Sequence, residues 1–135
     1  RAGLSQSNLM GMLACKQAYL EGAPWLDALL AYLQGNFNTL SAGMERINRR
    51  AGTPVIGFRQ PEGTYLCWLD CSGLMRARGL DDDAALDRWM LNEAGIWLST
   101  GPNFGRGGSG FMRLNAASPR TVLVEALRRL EQALF

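Results

Sequence analysis

The segment FMRLN, residues 111–115, places an arginine in a run too short and too apolar to be a solvated charged face. A guanidinium is a planar fork of donors that grips a carboxylate through two parallel hydrogen bonds. From the residues alone, the partner expected for Arg113 is a carboxylate in the core or at an interface. Just before it lies a loop containing Gly101, Gly105, Gly107, Gly108 and Gly110. Such a loop implies backbone that bends sharply or that something approaches closely. Gly105 to Gly110 also spells G-x-G-x-x-G, which holds a dinucleotide pyrophosphate when it follows a strand and opens a helix. Here it runs into a second short apolar segment, so we read a loop between two strands and discount a dinucleotide site.

Other chemistries are removed by what the chain lacks. It contains no histidine, which excludes Ser-His-Asp and Cys-His nucleophiles, histidine acid–base catalysis and a Cys/His zinc site within it. Asp81-Asp82-Asp83 reads as an acidic helix start rather than a metal site. Lys16 is the only lysine, and it sits in a helical pattern as an exposed side chain. Cys67 and Cys71, four apart on an expected strand, would lie about 13 Å apart, beyond disulfide reach. With Cys15 they read as unpaired thiols of a reducing compartment.

At 135 residues and a net charge of +2, the chain suits one domain and carries no basic stripe for nucleic acid or an anionic membrane. No apolar run is long enough to span a bilayer, and no signal segment opens the chain. A cytoplasmic protein is expected. The chain opens on Arg1 and runs directly into a helical pattern, which suggests a piece of something longer.

The elements that must position Arg113 follow from periodicity. Residues 4–20 predict a helix, capped by Ser5 or Ser7 and ended by Gly22. A second, long helix begins with Pro24 at its first position and continues to about Arg50. Leu26, Leu29, Leu30, Leu33, Phe37, Leu40, Met44 and Ile47 form its apolar face, with Gly35 and Gly43 as weak points. Val55, Ile56 and Phe58 suggest a strand, and Pro61-Glu62-Gly63 a turn. Thr64 to Cys71 predicts a strand with Tyr65, Cys67, Leu69 and Cys71 on one side and Leu66, Trp68 and Asp70 on the other. Both sides are largely apolar, so a central strand in a covered sheet is expected.

A short irregular or helical connection, Ser72 to Leu80, ending at Gly79, precedes a helix from the acidic run to Ala94, with Leu86, Trp89 and Met90 inward and Gly95 as its stop. Residues 96–99 and the Arg113 segment are the remaining strands. Ser118-Pro119 starts a last helix with Val122, Leu123, Ala126, Leu127, Leu130 and Leu134 as its buried stripe. The order α, long α, β, β, α, β, β, α is an α+β layer domain.

The phrases EGAPWLDALLAYLQGN, PEGTYLCWLDCSGL, GIWLSTGPNFGRGGSGFMRLNAASPR and VLVEALRRLEQAL together carry a resemblance. The chain resembles the C-terminal part of fold type I pyridoxal-phosphate enzymes. Most closely it is similar to the MalY/PatB, cystathionine β-lyase-like branch of the class I/II aminotransferase superfamily. The resemblance implies the small C-terminal domain of that architecture: a short, mostly antiparallel sheet packed with helices and preceded by a long interdomain helix. Residues 24–135 would be this domain, and residues 1–23 a helix belonging to or contacting the missing large domain.

The resemblance also implies roles. Arg113 would bind the α-carboxylate of an amino-acid substrate, with Tyr65 and Phe104 as weaker candidates for lining the site. For Tyr65, Trp68 and Phe104 the residues alone favour core packing, and for Asn115 a turn. The intact protein would bind pyridoxal 5'-phosphate and eliminate the β-thiolate from cystathionine or cysteine, giving thiol, pyruvate and ammonia. Its cofactor lysine would lie upstream of this chain, so the chain alone would bind no cofactor and turn over no substrate. An aminotransferase of the same superfamily is one alternative, and a non-catalytic interaction or regulatory domain is another. Enzymes of this kind are homodimers, and a homodimer is expected.

Overall fold

The computed structural model describes residues 8–135, so the expected caps Ser5 and Ser7 lie outside the described residues. Helix α1 (Leu9–Glu21) starts at Asn8, whose side-chain oxygen accepts the Gly11 N–H at 2.7 Å. It ends at Gly22, and helix α2 (Ala23–Ala51) follows at once. Pro24 is therefore the second helical residue, still within the first turn, where N–H groups have no intrahelical partner.

The chain divides into two compact units, Arg1–Tyr32 and Leu33–Phe135. In the first, the apolar side chains Leu9, Met10, Leu13, Tyr19, Trp25, Leu26 and Leu30 are exposed. The stripe expected along α2 is accordingly buried only from Leu33 onward, through Phe37, Leu40, Met44 and Ile47.

In the second unit, β1 (Gly57–Phe58), β2 (Leu66–Asp70), β3 (Ser99–Thr100) and β4 (Phe111–Asn115) form one sheet in the order β1-β2-β4-β3. Every pairing is antiparallel. Helices α3 (Ser72–Arg78), α4 (Asp83–Asn92) and α5 (Arg120–Leu134) complete it. Leu69 and Leu114 from the sheet, Leu40 and Met44 from α2, Met90 from α4 and Leu127 and Leu130 from α5 surround an interior void of only ≈ 20 Å³. Removal of this apolar surface from water is the main stabilising term of such a core.

Several expectations change. The strand expected over residues 64–71 is confined to Leu66–Asp70, and Cys71 is the N-cap residue of α3. One face of the sheet, carrying Cys67, Leu69, Met112 and Leu114, is buried. The other is half-buried or exposed. Val55 and Ile56 are buried but not strand; both N–H groups donate to Asn48 Oδ1, at 2.9 and 3.0 Å, which folds the segment back on α2. The strand expected at residues 96–99 is the shorter Ser99–Thr100. Gly35 and Gly43 are close-approach points: a Cβ on either would collide with Arg120 or Leu127 of α5. Trp89 is half-buried, with Arg78 over its ring, and Val122 is exposed.

Candidate functional site

Alternation along β4 buries Met112 and Leu114, and so delivers Phe111, Arg113 and Asn115 to the open face of the sheet. Antiparallel register then sets the neighbours of Arg113: Trp68 on β2 to one side and Ser99 on β3 to the other. The Nη2 group of Arg113 donates to Ser99 Oγ at 3.4 Å, a long bond. Its guanidinium carbon lies 4.3 Å from the centre of the Phe104 ring, within cation–π range. The ion pairs among the described residues do not include Arg113.

Phe104 is placed by the glycine-rich loop. After β3 the chain makes a single 3-10 turn, Gly101–Phe104, and returns through residues 105–110 to β4. Gly101 and Gly108 cross so closely that a Cβ on either would collide with the other's carbonyl. The loop is anchored at its far end by Asp83, the first residue of α4. Its carboxylate accepts the Ser109 hydroxyl at 2.8 Å and the Gly110 N–H at 2.7 Å. Asp82 caps α4 by accepting the Ala85 N–H, so the acidic run serves the helix start and the loop anchor. The G-x-G-x-x-G spacing leads into β4, a strand, as the reading against a dinucleotide site requires.

Of the aromatic candidates, the structure brings Phe104 to Arg113 and leaves Tyr65 apart from it. Tyr65 precedes β2 and is 44% exposed, its carbonyl accepting the Ala116 N–H at 2.8 Å. Trp68 is 40% and Phe104 47% exposed, which overturns the expectation of core packing for all three. Trp68 instead meets Phe104 edge-on at 5.3 Å and Phe111 at 6.5 Å. Asn115 holds the turn after β4, accepting the Ala117 N–H at 2.8 Å.

Two concavities flank this constellation. One, of ≈ 480 Å³, is lined by Arg113, Ser99, Thr100, Asn103 and Asn115, with Asp87 and Trp97 at its wall. The other, of ≈ 360 Å³, is lined by Trp68, Phe104, Phe111 and the glycine-rich loop. Ser99 and Asp87 were not legible as site residues: Ser99 reaches Arg113 through strand register, and Asp87 looks like any polar position on α4. An arginine on an open sheet face, held by a neutral ring and a hydroxyl, keeps its in-plane donors for an anionic group.

Comparison with known proteins gives this geometry a lineage. No protein-family model matches the chain. It is 38% identical over 134 residues to cystathionine beta-lyase PatB of Bacillus subtilis, covering 99% of this chain and 32% of that protein. It is 35% identical over 134 residues to protein MalY of Escherichia coli, again covering 99% of this chain and 32% of the relative. Among solved structures, the PLP-bound C-S lyase of Staphylococcus hominis superposes with a TM-score of 0.84 at 29% identity, over 98% of this chain and 33% of that one. The chain therefore spans about a third of the length of the proteins it matches. By sequence and by fold, over that third, the chain is homologous to PatB and MalY and has the fold type I aminotransferase architecture of the C-S lyases.

Proposed function

We propose that this chain is the C-terminal, substrate-clamping part of a pyridoxal-phosphate-dependent C–S β-lyase, with Arg113 as the anchor for the substrate's α-carboxylate. The observation that carries the reading is Arg113 itself, on an open sheet face, in no ion pair of the described residues, and held by Ser99 and Phe104. Residues 24–135 form the small domain in this reading, and residues 1–23 belong with the larger part of the protein. The exposed apolar side chains between Leu9 and Leu30 are the surface that the larger part would cover in this reading. The intact protein is proposed to be a cytoplasmic homodimer.

Pyridoxal phosphate, when bound, supplies the electron sink that allows Cα to lose a proton and the β-thiolate to leave. In this reading the cofactor is held by residues outside this chain, and Lys16, the only lysine of the chain, is an exposed side chain of α1. What this chain contributes is orientation. Two parallel N–H···O bonds from Arg113 fix the carboxylate, and with it the direction of the Cα–H bond. Phe104 and Trp68, with Tyr65 at the margin, offer apolar wall beside it.

The test is the full-length protein loaded with cofactor and given cystathionine or cysteine, with pyruvate as the readout. Arg113→Lys keeps the charge but loses the fork. It should raise KM by about tenfold, the worth of roughly one charge-assisted hydrogen bond. No pyruvate release, or turnover only when a keto acid is added, would remove the lyase reading.

A further inference from the structure

We infer that Phe104 is a positioning residue for Arg113, a neutral aromatic clamp that orients the guanidinium without forming an ion pair with it. The inference rests on Arg113 as the carboxylate anchor and deepens that reading. A long, flexible side chain on an open face must be ordered by something, or binding must supply the ordering itself. A carboxylate neighbour would order it but would also neutralise it and occupy the donors that substrate needs.

The structure uses a ring instead. The Phe104 centroid lies 4.3 Å from the guanidinium carbon. A ring beside a guanidinium attracts it through the quadrupole without neutralising its charge, as a carboxylate would. The only hydrogen bond from Arg113, to Ser99 Oγ at 3.4 Å, leaves most of the fork available among the described residues.

The ring is itself held from two directions. Trp68 meets it edge-on at 5.3 Å with an interplanar angle of 84°. Trp68 is also the cross-strand partner of Arg113, so the two side chains that contact Phe104 rise from paired positions of one sheet. The backbone under the ring is pinned where Gly101 crosses Gly108, at the start of the 3-10 turn that ends in Phe104. Phe104 therefore sits at a position fixed independently of Arg113, as a positioning residue must. Its half-exposed ring contributes little to the core, so its replacement should leave folding intact.

The experiment compares Phe104→Leu, Phe104→Met and Phe104→Tyr with Arg113→Lys in the full-length protein, with and without bound cofactor. It reads KM and kcat for cysteine, and the dissociation constant of a non-reacting amino-acid carboxylate by calorimetry. Phe104→Leu and Phe104→Met should each raise KM and the dissociation constant about three- to tenfold, the range of a half-exposed cation–π contact. Phe104→Tyr, which keeps the ring, should restore both to within about twofold of the parent. Adding Phe104→Leu to Arg113→Lys should cost less than the two effects combined, since the ring acts through the arginine.

Wild-type values for both ringless variants beside a weakened Arg113→Lys would overturn the positioning role and leave the carboxylate anchor standing. An unaffected Arg113→Lys would instead remove the anchor, and this inference with it. Equal losses in Phe104→Tyr and Phe104→Leu would mean the ring is not the clamp.

Discussion

Asn36 of α2 and Arg120 of α5 are joined by a part-buried hydrogen bond of 3.0 Å from the arginine Nε to the amide oxygen. Asn36 is 0% exposed. Its Nδ2 group donates to the carbonyls of Ala116 at 2.8 Å and Ser118 at 3.0 Å, so one side chain ties the long helix to the turn after β4 and to the last helix. This is the turn that follows Arg113, so the network links packing to the placement of the site.

Asn36→Ala should lower the unfolding free energy by about 2 to 3 kcal/mol, because it removes the donor from a buried and a part-buried carbonyl and breaks the bond to Arg120 at once. Asn36→Leu should be no better, since filling the volume does not restore those bonds. Urea unfolding followed by circular dichroism measures both. A loss under about 1 kcal/mol for either would show that water replaces the amide and that the network is not structural.

The glycine-rich loop gives a second expectation. A methyl group on Gly101 meets the Gly108 and Phe111 carbonyl oxygens, backbone atoms that cannot rotate away. Gly101→Ala should therefore cost about 3 kcal/mol, at the upper end of overpacking effects. Gly63→Ala, where nothing lies within 4 Å of the added methyl, is the control and should be near neutral. Equal effects from the two would refute a close crossing at Gly101.

How much of this was legible in the sequence depends on the range of the interaction. The α5 stripe Leu123, Leu127, Leu130 and Leu134 is buried as its helical period requires, because a period is a local property. Gly79 and Gly95 stop their segments at φ 63°, as terminating glycines should. Asn36 was passed over: it lies among apolar neighbours on α2, and its three partners are 80 or more residues away. Arg113 stood out as an arginine in an apolar strand, but Ser99 reaches it only through the register of β3 on β4. The open face of β2 does not show in the sequence, because Trp68 and Leu66 make that face apolar. Composition shows that a face is apolar, not that this part of the chain covers it.

The cysteines differ enough to be separated chemically. Burial pushes the Cys67 thiol up to about 11, and burial together with the Asp70 carboxylate pushes Cys71 up to about 12. Cys15 is exposed on α1. Thiolate is the reactive form, so at pH 8 an alkylating reagent should modify Cys15 within minutes and leave the other two intact until denaturant is added. Mass-resolved labelling of the 135-residue chain reads this directly. Rapid labelling of Cys67 or Cys71 under native conditions would mean the sheet opens easily.

Acid sensitivity should trace partly to one turn of α5. The Glu125 carboxylate accepts from Arg128 at 2.6 and 2.7 Å and from Arg129 at 2.8 Å. These hydrogen bonds, Arg128 first, hold its pKa at about 2, below the ordinary 4.5. A folded-state value below the unfolded one stabilises the fold fully above about pH 4.5, and that contribution is lost as pH falls toward 2. The stability difference between the parent chain and Glu125→Gln should therefore be constant from neutral pH down to about 5 and should shrink below that. Both carboxylate and guanidinium groups are solvent-exposed, so the difference should be small and should shrink further in about 1 M salt, where the screening length is a few ångströms. Thermal unfolding across pH and salt measures it. A difference that persists unchanged to pH 2 would show that the turn is stabilised by helix geometry and not by the charge of Glu125.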